Sequence, residues 1–274
     1  MKKFLFVLGL ISNLIAGERI VALSPSLNEI VFALGSGKDI VANTLHSDYP
    51  EESKNILKVG GYSTISLEKI LLSKPTLVFT QDYDEKLLKN LESLNLNYYS
   101  FKTDNLESIQ NTILKIGNIL NKQSRAEAII EEINTNLDSL KNIIKDKKIM
   151  VVISPRLDLN RSVYISGNNL YFNDIIKYSG NKNAYQSKSK SQPVVNIEKI
   201  INMNPDIVVL LAPFMHSQSL TKEQLKSSWK KLPINASKSD NIYVIDKDYA
   251  GIPSNRVNYF IQDFKKILEN VKHK

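Results

Sequence analysis

A duplicated unit constrains this chain more than any other feature. The segment Ser66-Leu-Glu-Lys-Ile-Leu-Leu-Ser-Lys-Pro-Thr-Leu-Val-Phe-Thr80 aligns without a gap on Asn196-Ile-Glu-Lys-Ile-Ile-Asn-Met-Asn-Pro-Asp-Ile-Val-Val-Leu210. Each begins on a helix-capping residue, runs through a short helix carrying Glu-Lys-Ile, breaks at Pro75 or Pro205 and enters a buried-type strand. Two copies in the same order predict two similarly built lobes. Between them, residues 123–147 carry Ala126, Ile129, Ile130, Ile133, Leu137, Leu140, Ile143 and Ile144 at three- and four-residue intervals, uninterrupted by Pro or Gly. That stripe predicts one rigid helix on the order of 30 Å long joining the lobes.

The segment Met1-Lys2-Lys3, the apolar run Phe4 to Ile15 and the small residues Ala16 and Gly17 are laid out like a secretory signal peptide, too short for a comfortable membrane span. The expected organisation is a signal over 1–17, an N-terminal lobe over 18–122, a linking helix over 123–147 and a C-terminal lobe over 148–274. With no cysteine there is no disulfide frame, no thiolate metal site and no Cys to carry a lipid, so a free periplasmic protein is expected. The net charge of +8 falls to +6 without Lys2 and Lys3. The lysines are scattered rather than gathered into an aromatic-interleaved stripe, which argues against nucleic acid and leaves anionic small molecules open.

Strands alternate with helices along both halves, which predicts an α/β fold with a parallel sheet in each lobe. The strand 19–23 ends in Ser24-Pro25, and Ser26 to Glu29 has capping-box spacing ahead of a helix stopped by Gly35. A second strand, 149–153, ends in the matching Ser154-Pro155. These turns fall at the carboxyl edge of a sheet, where open α/β folds gather ligands.

Taken in order, Arg19-Ile-Val-Ala-Leu-Ser-Pro-Ser-Leu-Asn-Glu-Ile, Ser47-Asp-Tyr-Pro50, Val59-Gly-Gly-Tyr62 and Leu67-Glu-Lys-Ile through Pro75-Thr-Leu-Val78 resemble the helical-backbone (class III) periplasmic receptors of vitamin B12 and iron-chelate ABC importers. The resemblance covers nearly the whole chain after the signal. It implies two α/β lobes joined by a rigid helix, a ligand held in the cleft between them, delivery to a membrane permease, no catalysis and no resident cofactor. A single chain acting as a monomer is expected.

Glu68 and Glu198 occupy equivalent positions in the two units and match the glutamates that in the family dock onto permease arginines; each also suits the first turn of a helix. Ser24 and Pro25 sit at a sheet edge, and His46, Tyr62 and Tyr249 match loop positions that face ligand in relatives. Gln192 stands where the vitamin B12 receptor has a tryptophan, and Ile252 where it has an arginine. His46, Tyr62 and Tyr249 can reach a metal only through a bound chelate. His216 follows the strand 207–211, and Arg156, Arg161, Lys188 and Lys190 lie in second-lobe loops where they can clamp an anion. A bare Zn or Mn site wants several His with carboxylates, and this chain has three His in all.

The ligand classes that follow are a ferric siderophore or a corrinoid, with haem as an alternative through Tyr62 or His46. An exported hydrolase is the competing class, but there is no Gly-x-Ser-x-Gly elbow and no Cys nucleophile.

Overall fold

A computed structural model describes residues 17–62, 64–187, 189 and 191–274. The expected signal segment, apart from Gly17, lies outside the described residues, as do Lys188 and Lys190. The first lobe runs β1 (Ile20–Ala22), α1 (Pro25–Ala33), β2 (Ile40–Asn43), β3 (Leu57–Lys58), α2 (Leu67–Leu72), β4 (Leu77–Gln81), α3 (Glu85–Ser93), β5 (Tyr98–Phe101) and α4 (Leu106–Ile119). Helix α5 (Gln123–Asp138) follows. The second lobe runs β6 (Lys148–Ile153), β7 (Val163–Ile165), α6 (Tyr171–Tyr178), β8 (Lys182–Asn183), β9 (Val194–Val195), α7 (Ile197–Met203), β10 (Ile207–Leu211), α8 (Lys222–Lys230), α9 (Asn235–Lys238), β11 (Ile242–Ile245) and α10 (Val257–Lys272).

The first sheet is parallel throughout, in the order β3-β2-β1-β4-β5. Its connections run outward in opposite directions from the β1/β4 boundary, which opens a crevice at the carboxyl ends of those two strands. The second sheet has the order β11-β10-β6-β7-β9, with β8 also paired to β6. Its β11, β10, β6 and β8 are parallel, but β7 is antiparallel to β6 and β9. Parallel strands form the core of each sheet, as the alternation of strands and helices predicts; β7 is the exception, because it follows β6 without a crossover helix and so returns as an antiparallel neighbour.

The duplicated unit is built as its sequence reads. Ser66 and Asn196 cap α2 and α7, their side chains accepting from the Lys69 and Lys199 amides at 3.2 and 3.0 Å. Strands β4 and β10 are buried along their whole length, as near-continuous apolar runs should be. Alternate residues serve opposite faces: Ile149, Val151, Ile207 and Val209 face one core and Met150, Val152, Val208 and Leu210 another. The first of these cores is shared. It joins Ile20, Leu27 and Phe79 of the first lobe to Ile113 and Ile116 of α4, Ile133 and Leu137 of α5, and Phe172, Phe260 and Phe264 of the second lobe.

Helix α5 has 16 residues, about 24 Å at 1.5 Å per residue, and does not reach Lys147. The chain leaves it at Ser139 and turns through left-handed Asn142 (φ 64°) and Asp146 (φ 58°), residue types that tolerate that region. Leu140, Ile143 and Ile144 still pack into or against the shared core, so the periodic stripe reports burial beyond the end of the helix. Stiffness comes from neighbours instead. Gly117 of α4 lets α5 approach so closely that a Cβ there would stand 2.6 Å from the Ala126 Cβ. On the other side Asn136 donates to Asn258 of α10 at 2.6 Å, and Asn258 donates to Glu132 at 2.5 Å.

Candidate functional site

The carboxyl ends of both sheets open onto a cavity of about 450 Å³ between the lobes. The first lobe supplies Tyr62 from the loop after β3, Asp82 and Tyr83 after β4, and Thr103 and Asp104 after β5; the second supplies Ile153 at the end of β6, Leu170 to Phe172 at the start of α6, Gln192, Gly251 and Pro253. A second cavity of about 360 Å³ adjoins it, sharing Asp104, Leu170 and Gln192.

The floor on the first-lobe side is a closed polar network. Ser24 caps α1 by accepting from the Leu27 amide at 3.2 Å, with Pro25 at the first helical position, so Ser24 rather than Ser26 starts the helix. Gln81 donates to Ser24 at 3.2 Å and to Thr103 at 3.1 Å, tying the ends of β1, β4 and β5 together. At the mouth, Tyr62 and Tyr83 stack with ring centroids 6.3 Å apart and planes 19° from parallel. They are 66% and 60% exposed, a large aromatic face open to the cleft. Burial and the adjacent Tyr62 phenol push the Tyr83 phenol above its usual range, so it stays neutral. Tyr171 on the opposite wall is 2% exposed and its hydroxyl has no partner among the described residues. Its burial raises that phenol too, and the nearby Gly251 amide tempers the shift without making a well-formed hydrogen bond.

The predicted residues divide. Ser24, Pro25, His46 and Tyr62 line one small cavity at the first-lobe rim, and Gln192 faces the main cavity from the second lobe. Tyr249 is turned away: its hydroxyl donates to Asp263 of α10, and burial followed by that carboxylate raises its pKa. The same loop presents Gly251 and Pro253 to the cleft instead. His216 is exposed and sits 3.2 Å from Asp246, which also receives Lys222 at 3.0 Å, so its imidazole is held at the edge of the second sheet and lines neither cavity. Arg156 lines a separate cavity of about 150 Å³ beside Ser154 and Phe214, and Arg161 lies 3.6 Å from Asp158. Glu68 and Glu198 are exposed on the first turns of α2 and α7, at the carboxyl edges of their sheets. Among the described residues no group of three or more His, Asp or Glu side chains is placed to hold a metal ion, and no helix is long and apolar enough to cross a membrane.

The sequence did not single out Asp82, Tyr83, Asp104 or Tyr171, although Asp82 and Tyr83 directly follow a buried strand, where the sheet-edge rule places ligands. It also passed over Glu29 and Arg256. Glu29 on α1 and Arg256 ahead of α10 are each 2% exposed and form a bidentate pair at 2.5 and 3.0 Å. Ser254 donates to the same carboxylate, Asp248 takes the third guanidinium nitrogen at 2.7 Å, and the Tyr49 ring lies 3.8 Å from the guanidinium carbon. Burial works against the Arg256 charge, but Glu29 and Asp248 outweigh it and hold its pKa above the usual arginine value. This latch closes the lobes on one another beside the cleft.

Two lobes with a shared core, latched together around a cleft at facing sheet edges, define a binding receptor. The sequence profile of the periplasmic binding protein family matches residues 20–249, and the chain belongs to that family. It is 25% identical over 259 residues to the vitamin B12-binding protein of Vibrio campbellii, covering 94% of this chain and 91% of the relative. Among solved structures it is similar to the periplasmic vitamin B12 binding protein BtuF of Vibrio cholerae (TM-score 0.77, 19% identity, 94% and 98% of the two chains). It is equally similar in fold to the periplasmic heme-binding protein BhuT in complex with two hemes (TM-score 0.77, 16% identity, 93% and 99%).

Proposed function

We propose that the protein captures a planar metal chelate, a corrinoid in the first place, between its lobes outside the cytoplasm and hands it to the permease of an ABC importer. The observation that carries this is the exposed Tyr62–Tyr83 stack facing the second lobe across the cavity. A flat neutral aromatic face suits a macrocycle lying on it better than the compact, strongly anionic surface of a ferric tris-catecholate. The vitamin B12-binding relatives, aligned over nearly the whole chain, support the same ligand class. On this reading Glu68 and Glu198, exposed in the first turns of α2 and α7, meet a basic permease surface and set orientation and association rate. Haem is the second choice, since His46 and Tyr62 lie together at the first-lobe rim and offer an imidazole and a phenol as donors to its iron.

Calorimetric titration of the processed chain with cyanocobalamin, haemin and a ferric catecholate tests the proposal. One-site binding of the corrinoid with Kd below about 1 µM, roughly −8 kcal/mol, is expected, weakening at least about tenfold in Tyr62→Ala/Tyr83→Ala. Absence of binding to all three ligands overturns it.

A further inference from the structure

We infer that Asp82 and Asp104 make the cleft a charge filter, admitting a macrocycle whose rim carries amides or other neutral hydrogen-bond donors and turning away one rimmed by carboxylates. This rests on the planar-chelate reading and narrows its ligand class. The charged side chains lining the two joined cavities, among the described residues, are Asp82, Asp104 and Lys102. Lys102 stands 3.4 Å from Asp82, so the single cation is already engaged by one of the two carboxylates. The Asp104 carboxylate takes a hydroxyl hydrogen bond from Ser108 at 3.2 Å and has no ion-pair partner in the described structure, leaving acceptor capacity toward the cavity.

The other polar groups on the walls are neutral: Gln81, Thr103, Gln192 and the buried Tyr171, whose hydroxyl lacks a partner. The described cations that sequence offered as an anion clamp are elsewhere, Arg156 in its own cavity and Arg161 beside Asp158. An incoming carboxylate therefore meets like charge at the solvent-open mouth of the gap, a repulsion that salt screens. An amide N–H meets acceptors that are charged and hence strong.

The test compares cyanocobalamin with its tricarboxylate derivative, in which three peripheral amides are hydrolysed and the ring is unchanged. Calorimetry on the wild type should show the neutral form binding at least about tenfold more tightly, with the ratio shrinking as salt rises from about 0.05 to 0.5 M. In Asp82→Asn/Asp104→Asn, whose side chains keep their shape at sites open to solvent, the ratio should fall toward one, chiefly through tighter binding of the acid. A wild-type ratio near one, or a large ratio that survives in the variant, overturns the filter while leaving the receptor intact. Binding of neither corrinoid, together with none of haemin, overturns the planar-chelate reading and the filter with it.

Discussion

Removing the Arg256 side chain should unlatch the lobes, and the cost follows from what is left behind. Glu29 is 3% exposed and keeps only Ser254 as a hydrogen-bond partner once the guanidinium is gone. An uncompensated buried carboxylate of this kind costs about 3–5 kcal/mol, and the lost contact with the Tyr49 ring adds on the order of 0.5–2 kcal/mol. Against a typical stability of about 5–15 kcal/mol this is a large fraction. At about 2–4 °C per kcal/mol for a chain of this size, Arg256→Met should lower Tm by roughly 7–28 °C. Glu29→Met should cost a similar amount by stranding the arginine. Glu29→Met/Arg256→Met, which leaves no orphaned charge, should recover most of the loss, giving strong coupling in the double-mutant cycle. Urea unfolding followed by circular dichroism measures all three, and the shared core predicts one cooperative transition. Single variants costing under about 1 kcal/mol, or a double variant equal to their sum, would refute the latch.

Glu68→Ala/Glu198→Ala should abolish corrinoid uptake by cells while leaving calorimetric affinity intact; weakened binding in vitro would place these residues in ligand capture. Burial works to raise the Asp246 carboxyl, but Lys222, its own backbone amide and His216 outweigh it and hold its pKa below 3.8. Because the folded-state value is depressed, its stability contribution is present above pH 3.8 and lost as pH falls through the lowered value. The difference in urea midpoint between wild type and Asp246→Asn should therefore close on acidification. Gly60 sits at φ +128° with a built Cβ 2.0 Å from the Thr64 carbonyl oxygen, so Gly60→Ala must displace the loop that carries Tyr62. A drop in corrinoid affinity by calorimetry of at least about tenfold is expected.

What sequence makes legible here is local chemistry. The cap, helix, proline and strand of the duplicated unit each follow from a few neighbouring residues, and Ser66 and Asn196 behave as their spacing predicts. The apolar stripe past Asp138 misleads because burial, not helical geometry, sets its period; Ile143 and Ile144 pack on the core from turns. Contacts between distant segments are opaque. Nothing in the loop 248–256 announces that Tyr249 will meet Asp263 or that Arg256 will cross to Glu29, 227 positions away. Glu29 was spoken for by a capping-box pattern, which the fold overrides by starting α1 at Ser24. Tyr83 is not legible in sequence because its value to the site comes from Tyr62 arriving beside it from another loop.

The central claim is that the lobes hold a preformed gap into which a flat chelate slides. The chain has no cysteine, so spin labels can be placed at Glu92→Cys on α3 and Glu223→Cys on α8, both exposed, without background. Pulsed electron double resonance with and without cyanocobalamin should give one narrow interlobe distance that moves by less than about 2 Å, as in preorganised complexes. Two populations in the free protein, or a shift beyond about 5 Å on binding, would contradict it and make hinge closure the mode of capture.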